Sequence, residues 1–318
     1  MKRKTKIRII YTFCGVFILI LSYKSGTIFS KYNYQNKEIV KDVSFKIAES
    51  SSLAIIGETG SGKTIIANSI MNLLPPDIKS TNNEIIFENK NITNYKKIKK
   101  LLGSKIIYIP QSGKDALSPN LTIKKHFINI LKRNKYKKKD FNNIIAEKLN
   151  NVEISNYEEI LNKYPFEISG GTAQKIVIAL SSCSSASLII ADEMTNGIAE
   201  KEKIEKFNLI DRLFPTAGKI YITHDISIAK LCDDILVLNH GKTMEQGPAK
   251  KVLTNPHHHY TKALLSSLPE NGLNTIPLLS YLKGYCPFYQ RCQNRKDKCL
   301  ISFKKKQLDK IVWYCNYD

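Results

Sequence analysis

The residues best suited to chemistry form one unbroken run, Gly57-Glu58-Thr59-Gly60-Ser61-Gly62-Lys63-Thr64. Its spacing, G-x-x-x-x-G-K-[ST], is that of a loop whose backbone N–H groups surround the phosphates of a nucleoside triphosphate. Apolar residues 52–56 predict a strand before the loop, and residues 65–71 predict a helix whose positive end faces the same phosphates. We expect Lys63 to bind the β- and γ-phosphates and Thr64 to ligate Mg²⁺.

Polar residues also follow three further predicted strands. Gln111 follows the predicted strand at 105–109, and His224 follows the one at 219–223. Asp192 and Glu193 end the predicted strand at 187–193. Because ligands of an open α/β sheet collect at the carboxyl ends of its strands, we expect these side chains to face the phosphate loop. Asp192 suits the Mg²⁺ shell and Glu193 the attacking water, while Gln111 could reach both the metal and the water.

Two weaker signals complete the candidate binding residues. Ser169, Gly170 and Gly171 open a helical run at 173–180, and a helix N-terminus can hold an anion, although any helix can start this way. Tyr34 lies in a turn-rich stretch before the loop, at a distance from which an aromatic ring can stack on adenine. A half-buried strand tyrosine is the alternative, and Tyr32 is placed equally well.

Composition limits the architecture and the partners. A chain of 318 residues, 42% of them hydrophobic, can form one large α/β domain with an appendage or two smaller domains. Residues 121–163 show helical apolar spacing without strand alternation, which indicates an inserted helical subdomain. The formal charge of +21 suits an anionic partner such as nucleotide, nucleic acid or a membrane surface, but lysine runs at 96–100 and 135–139 are more typical of solvated faces.

The N-terminus begins with basic residues followed by an apolar run at 9–21. This pattern is similar to a signal sequence or a short membrane anchor, but it is shorter than the roughly 20 apolar residues that a spanning helix needs. A span would also export the phosphate loop away from ATP. We rank four interpretations of this run. The first is a surface-lying or docked hydrophobic segment, and the second is a first strand of the domain. The third is a start codon placed too early, and a membrane span is the last.

Five motifs, taken in order over residues 57–225, resemble those of the ATPase subunits of ABC transporters. GETGSGKT resembles the Walker A motif, Gln111 the Q-loop, ISGGTAQK the signature, LIIADE the Walker B strand and ITHD the H-loop. The resemblance implies an α/β P-loop NTPase core with an N-terminal antiparallel β part, an inserted α-helical subdomain and a small cysteine-containing C-terminal extension. We expect a basic and hydrophobic segment at 1–26, a nucleotide-binding domain at 27–250 with its helical subdomain at about 115–168, and the extension at 251–318.

The C-terminal third is similar to that of oligopeptide, dipeptide and nickel importer ATPases. The segment GPAKKVLTNPHHHYTKALLSSLP carries this resemblance, and so does the tail around Cys286, Cys292, Cys299 and Cys315. In relatives with this tail, four cysteines can hold an iron–sulfur cluster. Four thiolates suit either [4Fe–4S] or Zn²⁺, with reduced thiols as the third alternative, and the lack of tight C-x2-4-C pairs favours iron–sulfur. We expect no metal at histidines 257–259.

The resemblance implies ATP and Mg²⁺ as cofactors and a head-to-tail pair of ATPase subunits, the second expected to be a different chain. Each ATP would lie between the phosphate loop of one subunit and the signature residues of the other, which here are Ser169, Gly170, Gly171 and Gln174. The pair would act on two membrane permeases at the cytoplasmic face of the membrane and, through them, on an extracytoplasmic solute-binding protein. His224 would contact the γ-phosphate.

Peptide import is the leading functional hypothesis, with nickel or metal-chelate import as the alternative. A soluble ABC ATPase acting on nucleic acid or ribosomes is the rival from another class, although the single cassette argues against it and no nucleic-acid partner is expected. A degenerate regulatory subunit is a third alternative.

Several residues depart from the family pattern. Ala199 stands where the family's D-loop aspartate is usual, Ile168 begins the signature, and Lys175 replaces its arginine. Since Lys63, Asp192, Glu193 and His224 are all present, we expect hydrolysis at this subunit's own site to survive.

Overall fold

The structure is a computed structural model that describes residues 25–34, 37–75, 78–80, 84–195, 198–268 and 285–316. The chain divides into two compact units, the first built from residues up to 95 and from 221 onward, the second from residues 96–220. The apolar run at 9–21 and Cys14 lie outside the described residues. Among the described residues, no helix combines the length and apolarity that crossing a bilayer requires.

Strands and α-helices of the described residues are numbered in chain order. They are β1 (Ser25–Tyr34), β2 (Lys37–Ala48), β3 (Ser52–Ile56), α1 (Lys63–Ile70), β4 (Ile78–Ser80), β5 (Glu84–Phe87), β6 (Lys90–Asn91), α2 (Tyr95–Leu101), β7 (Ile106–Ile109), α3 (Ile123–Arg133), α4 (Phe141–Asn151), α5 (Tyr157–Asn162), α6 (Gly170–Ser181), β8 (Leu188–Asp192), α7 (Glu200–Leu213), β9 (Gly218–Ile222), α8 (Ile226–Ala229), β10 (Asp234–Asn239), β11 (Lys242–Pro248), α9 (Ala249–Thr254), α10 (His259–Ser266), β12 (Lys305–Leu308) and β13 (Ile311–Tyr314).

The first unit contains an antiparallel sheet of order β2-β1-β5-β6, with β4 also paired to β1. Tyr32 and Tyr34 are part of β1 rather than of the turn-rich stretch that the sequence predicted. The prediction was wrong at this point because β1 pairs along one edge with β2 and along the other with β4 and β5. Ladder pairing on both edges outweighs the local turn preference of serine and asparagine.

A second set of strands in this unit contains the phosphate loop. Its order is β12-β13-β11-β10-β3, in which β10 runs parallel to β3 and the other pairs are antiparallel. All five residues of β3 are buried, as expected for an apolar strand covered on both faces. The phosphate loop therefore begins at the end of a fully buried strand.

The C-terminal extension continues this sheet. In β13, Trp313 lies opposite Glu245 of β11, and β13 returns along β12 after a turn at Asp309 and Lys310. The sequence predicted only a small extension, because a pairing between residues so far apart leaves no local pattern.

The second unit contains the parallel pair β7 and β8 and the helices α3 to α6. Buried residues of α3 are Ile123, Phe127 and Leu131, which recur every four positions and form one apolar face. Thr122 caps this helix by accepting a hydrogen bond from the N–H of Lys125. The stretch predicted to be helical thus contains α3, α4 and α5.

The tight turn between β10 and β11 is hydrogen-bonded to the phosphate loop. His240 and Gly241 join β10 to β11 with φ angles of 43° and 74°, the pairing of positive values that a two-residue type I′ hairpin requires. The N–H of Gly241 donates to the carbonyl of Ser61 at 2.8 Å. A Cβ at Gly241 would lie 1.7 Å from the carbonyl oxygen of Ile39, so no other residue fits here.

The substitution Gly241→Ala is therefore expected to lower the free energy of unfolding by about 1–3 kcal/mol or more, since it adds a backbone clash to a left-handed conformation. Thermal unfolding followed by circular dichroism measures the effect. Gly103→Ala is the matched control, because its φ is 72° but its Cβ would meet only the flexible guanidinium of Arg133 at 2.9 Å. Equal losses in the two variants would contradict the clash.

Candidate nucleotide site

The phosphate loop connects β3 to α1 and packs tightly against β10. A Cβ on Gly57 would lie 2.2 Å from the carbonyl oxygen of Leu238, so only glycine permits this approach. Lys63 is 6% exposed, and its Nζ donates to the carbonyls of Gly57 at 2.8 Å and Glu58 at 3.1 Å. The ammonium is thus held at the loop itself. Thr64 is exposed in the first turn of α1.

The start of α1 has the electrostatics of an anion site. Gly62 is its N-cap and supplies no side-chain oxygen, and the first turn has no acidic residue. The N–H groups and the positive helix end are therefore not neutralised by a local carboxylate. Ser61 is buried, and its hydroxyl has no hydrogen-bond partner among the described residues. A phosphate is the ligand that satisfies such a donor set.

In the second unit, β8 ends in a buried carboxylate. Asp192 is 6% exposed, and its Oδ2 accepts a hydrogen bond of 3.0 Å from the hydroxyl of Tyr108 on the neighbouring strand β7. Burial, and then the negative charge of Asp192, raise the pKa of Tyr108, so the hydroxyl stays a donor. Glu193 follows with a φ of 44°, and such uncommon conformations often mark functional positions.

Gln174 connects three segments of the second unit. Its Nε2 donates to the carbonyl of Gln111 at 2.7 Å and contacts that of Met194 at 3.4 Å, while its Oε1 accepts from Lys206. The structure therefore brings Gln174 and the backbone of Gln111 together. The contact of Gln174 with a partner's ATP stays a prediction.

The remaining signature residues are open to solvent. Ser169 caps α6 by accepting from the N–H of Thr172 at 3.1 Å. Gly170 and Gly171 are exposed, and a Cβ on either would meet nothing within 4 Å. The first turn of α6 lacks acidic residues, which leaves its positive end available to an anion.

Three further candidate residues lie at the ends of helices or strands. Ala199 is the N-cap of α7 and makes no side-chain capping bond. His224 follows β9 and is exposed. Tyr34 is the last residue of β1, and its side chain is outside the described part of the structure.

The four cysteines of the tail line one pocket. Cys286, Cys292, Cys299 and Cys315 share its wall with aromatic and histidine side chains such as Phe288 and His258. Burial raises the pKa of the Cys286 thiol to about 12 and also raises that of Cys292. Within the described ranges, no three His, Cys, Asp or Glu side chains are grouped so as to hold one metal ion.

The neighbouring histidines have packing roles. The ring of His257 stacks on Trp313 with centroids 4.2 Å apart, and Nδ1 of His258 accepts from the N–H of Tyr260 at 2.9 Å at the start of α10. Burial lowers the pKa of His258 to about 3, which keeps it neutral. The absence of metal at these histidines stays a prediction.

Three residues of the site were missed by the sequence reading. Tyr108 is the one polar side chain in the apolar strand β7, which was a usable signal. Tyr260 and Arg291 carry no local sequence signal, because their partner, Glu58 of the phosphate loop, is distant in sequence. The hydroxyl of Tyr260 accepts from the N–H of Glu58 at 3.1 Å, and Arg291 pairs with its carboxylate.

Comparison with known proteins decides the family. The chain is 35% identical over 279 residues to the dipeptide transport ATP-binding protein DppD of Bacillus subtilis, covering 82% of this chain and 83% of that one. Residues 40–196 match the ABC transporter family, and residues 244–299 match the C-terminal region of oligopeptide/dipeptide transporters. The chain belongs to the ABC transporter family. Its reaction is ATP hydrolysis, with Mg²⁺ accompanying the nucleotide.

Other ABC proteins extend this picture. The metal-staphylopine import system ATP-binding protein CntD of Staphylococcus aureus is 33% identical over 241 residues, covering 74% of this chain and 88% of that one. The solved structure of cbiO1 from Clostridium perfringens superposes with a TM-score of 0.62 at 24% identity, covering 73% of this chain and 91% of that one. This structural likeness confirms the predicted α/β P-loop fold.

The bare N-cap at Ala199 gives a prediction for this ABC ATPase. Ala199→Ser is expected to raise the free energy of unfolding by about 1 kcal/mol, because a hydroxyl can accept from a free N–H of α7. Ala199→Asp, which restores the family's residue, is expected to gain less, since Glu200 and Glu202 already occupy the first turn. Urea unfolding measures both, and Ala199→Val is the control without an acceptor. A gain with valine equal to that with serine would rule out capping.

Proposed function

We propose that this chain is the ATP-hydrolysing subunit of an ABC importer for peptides. The observation that carries the proposal is the match of residues 244–299 to the C-terminal region of oligopeptide/dipeptide transporters, in the same chain as an ABC cassette. The name of DppD, a dipeptide transport protein, supports the same substrate class. The nucleotide-binding domain would cover residues 27–250 and the extension residues 251–318.

A metal-chelate importer is the second candidate, because CntD is named for metal-staphylopine import. Nickel is less favoured, since the match to the C-terminal region names peptides. Both candidates share one mechanism and differ in cargo, which the permeases and the solute-binding protein would select.

For the reaction, Lys63 and Thr64 would bind the phosphates and Mg²⁺, and Asp192 would complete the metal shell. Glu193 would orient or deprotonate the water, Gln111 would reach the metal and the water, and His224 the γ-phosphate. The loop residues from Gly57 to Gly62 would donate backbone N–H groups, and Tyr34 would stack on adenine. Phosphoryl transfer needs mainly positioning and charge neutralisation, which these groups supply.

The exposed glycines of the signature support a composite site. Ser169, Gly170 and Gly171 present a free helix end, so an ATP held by a second ATPase subunit is their expected ligand. We propose a heterodimer that joins two permeases at the cytoplasmic face of the membrane. Closure of the dimer would start hydrolysis.

Purification of the chain with its partners tests the importer. Recovery of integral membrane permeases, and ATP-driven uptake of di- and oligopeptides into vesicles containing the complex, is the expected result. Uptake of a metal chelate without peptide uptake would favour the second candidate. Retention of RNA or DNA without permeases would overturn both.

Glu193→Gln is expected to lower the ATPase rate of the complex about 100-fold or more, because a positioned base contributes roughly 10²–10⁴ to such rates. ATP binding should persist, since the amide keeps the shape of the carboxylate. Release of phosphate and binding of ATP are measured in parallel. Glu200→Gln, an exposed change in α7, is the matched control. An unchanged rate in Glu193→Gln would remove the glutamate from the mechanism.

We further propose that the cysteine pocket holds a [4Fe–4S] cluster. Four thiols around one pocket supply the donor chemistry of such a cluster. Each thiolate of a cluster binds a different iron, so the thiols need not meet at one point, whereas tetrahedral Zn²⁺ requires that they do. Cys286, Cys292, Cys299 and Cys315 would be the ligands.

Anaerobic purification is expected to give a brown protein with about four iron and four sulfide per chain. Cys286→Ser should lower the iron content, whereas Cys183→Ser, a buried cysteine outside the pocket, should not. Stoichiometric zinc, or a colourless metal-free protein with titratable thiols in the tail, would contradict the cluster.

A further inference from the structure

The C-terminal extension contacts the phosphate loop at Glu58. Arg291, which precedes Cys292, forms a bidentate ion pair with Glu58, with Nη1 to Oε1 at 2.7 Å and Nη2 to Oε2 at 3.0 Å. The arginine side chain is 6% exposed and the glutamate side chain 26%. Paired charge-assisted bonds of this length are strong and fix orientation as well as distance.

Aromatic rings fix the arginine itself. The guanidinium carbon lies 5.2 Å from the ring centre of Phe288 and 5.9 Å from that of Tyr260. Arg291 is therefore a nearly buried cation whose position is set by packing and whose hydrogen bonds are directed at the loop.

All the polar groups of Glu58 are engaged. Its N–H donates to the hydroxyl of Tyr260, its carboxylate accepts from Arg291, and its carbonyl accepts from Nζ of Lys63 at 3.1 Å and from the N–H of Ser61 at 3.1 Å. Two of these contacts come from the extension and two from the loop. Glu58 thus connects the extension to Lys63 through hydrogen bonds.

The ion pair between Arg291 and Glu58 also changes the net charge of the phosphate loop. Glu58 places a carboxylate in a loop that must accept an anion, and an unpaired negative charge there would repel phosphate. The ion pair with Arg291 neutralises it at 2.7 Å.

We propose that Arg291 is a positioning residue for nucleotide binding: acting through Glu58, the C-terminal extension sets the affinity of the phosphate loop. The inference rests on the binding of ATP by this loop. It assigns to the extension a part in the ATP site, independent of any metal in the cysteine pocket.

A double-mutant cycle tests the proposal. Binding of Mg²⁺-ADP to the full-length chain is measured by titration calorimetry, because ADP is not consumed. Arg291→Ala is expected to weaken binding about tenfold, and the same change in a Glu58→Gln background by less than about twofold, since coupled residues are non-additive. Lys298→Ala, which removes an exposed cation from the same tail, is the matched control and should bind as the wild type does.

Tyr260→Phe tests the same contact independently, in case Arg291→Ala does not fold. It keeps the ring and removes only the hydroxyl that Glu58 contacts, and it should weaken Mg²⁺-ADP binding about threefold. Unchanged affinity in both Arg291→Ala and Tyr260→Phe would overturn the proposal. An equal loss for Arg291→Ala in both backgrounds would also overturn it, because the arginine would then not act through Glu58. A wild-type chain that fails to bind Mg²⁺-ADP would instead refute the nucleotide site itself.

Discussion

The phosphate loop of the first unit is organised around one buried ammonium, that of Lys63. Lys63 is bonded to two carbonyls of the loop, and Gly57 touches the backbone of β10. The turn at Gly241 closes the loop from behind through Ser61. A phosphate site built in this way needs little reorganisation when the anion arrives, and preorganisation is what makes electrostatic binding effective in proteins.

The C-terminal extension contributes to this rigidity in two ways. Its strands β12 and β13 lengthen the sheet that contains β3, so the extension is continuous with the element from which the loop starts. Its helix α10 and its tail reach the loop directly through Tyr260 and Arg291. The region that defines the peptide-transporter relatives is therefore also part of the environment of the nucleotide loop.

The second unit arranges its catalytic candidates by hydrogen bonds rather than by a tight loop. Tyr108 fixes one oxygen of Asp192, and Gln174 joins the backbone at Gln111 to the backbone just after Glu193. Glu193 itself has a positive φ, a local cost that the flanking buried residues must support. By contrast, the N-cap of α7, Ala199, supplies no capping side chain.

The amino-acid sequence was enough to predict a phosphate-binding loop and the strand and helix on either side of it. The glycine spacing, the buried strands and the acidic pair at 192–193 are local patterns, because backbone geometry and burial act over a few residues. The strand at 52–56 was predicted with the bounds that the structure has. Three contacts became visible in the folded chain alone: Arg291 with Glu58, β13 with β11, and Gln174 with the carbonyl of Gln111. These contacts join residues far apart in the chain, and their energy comes from groups that no local pattern brings together.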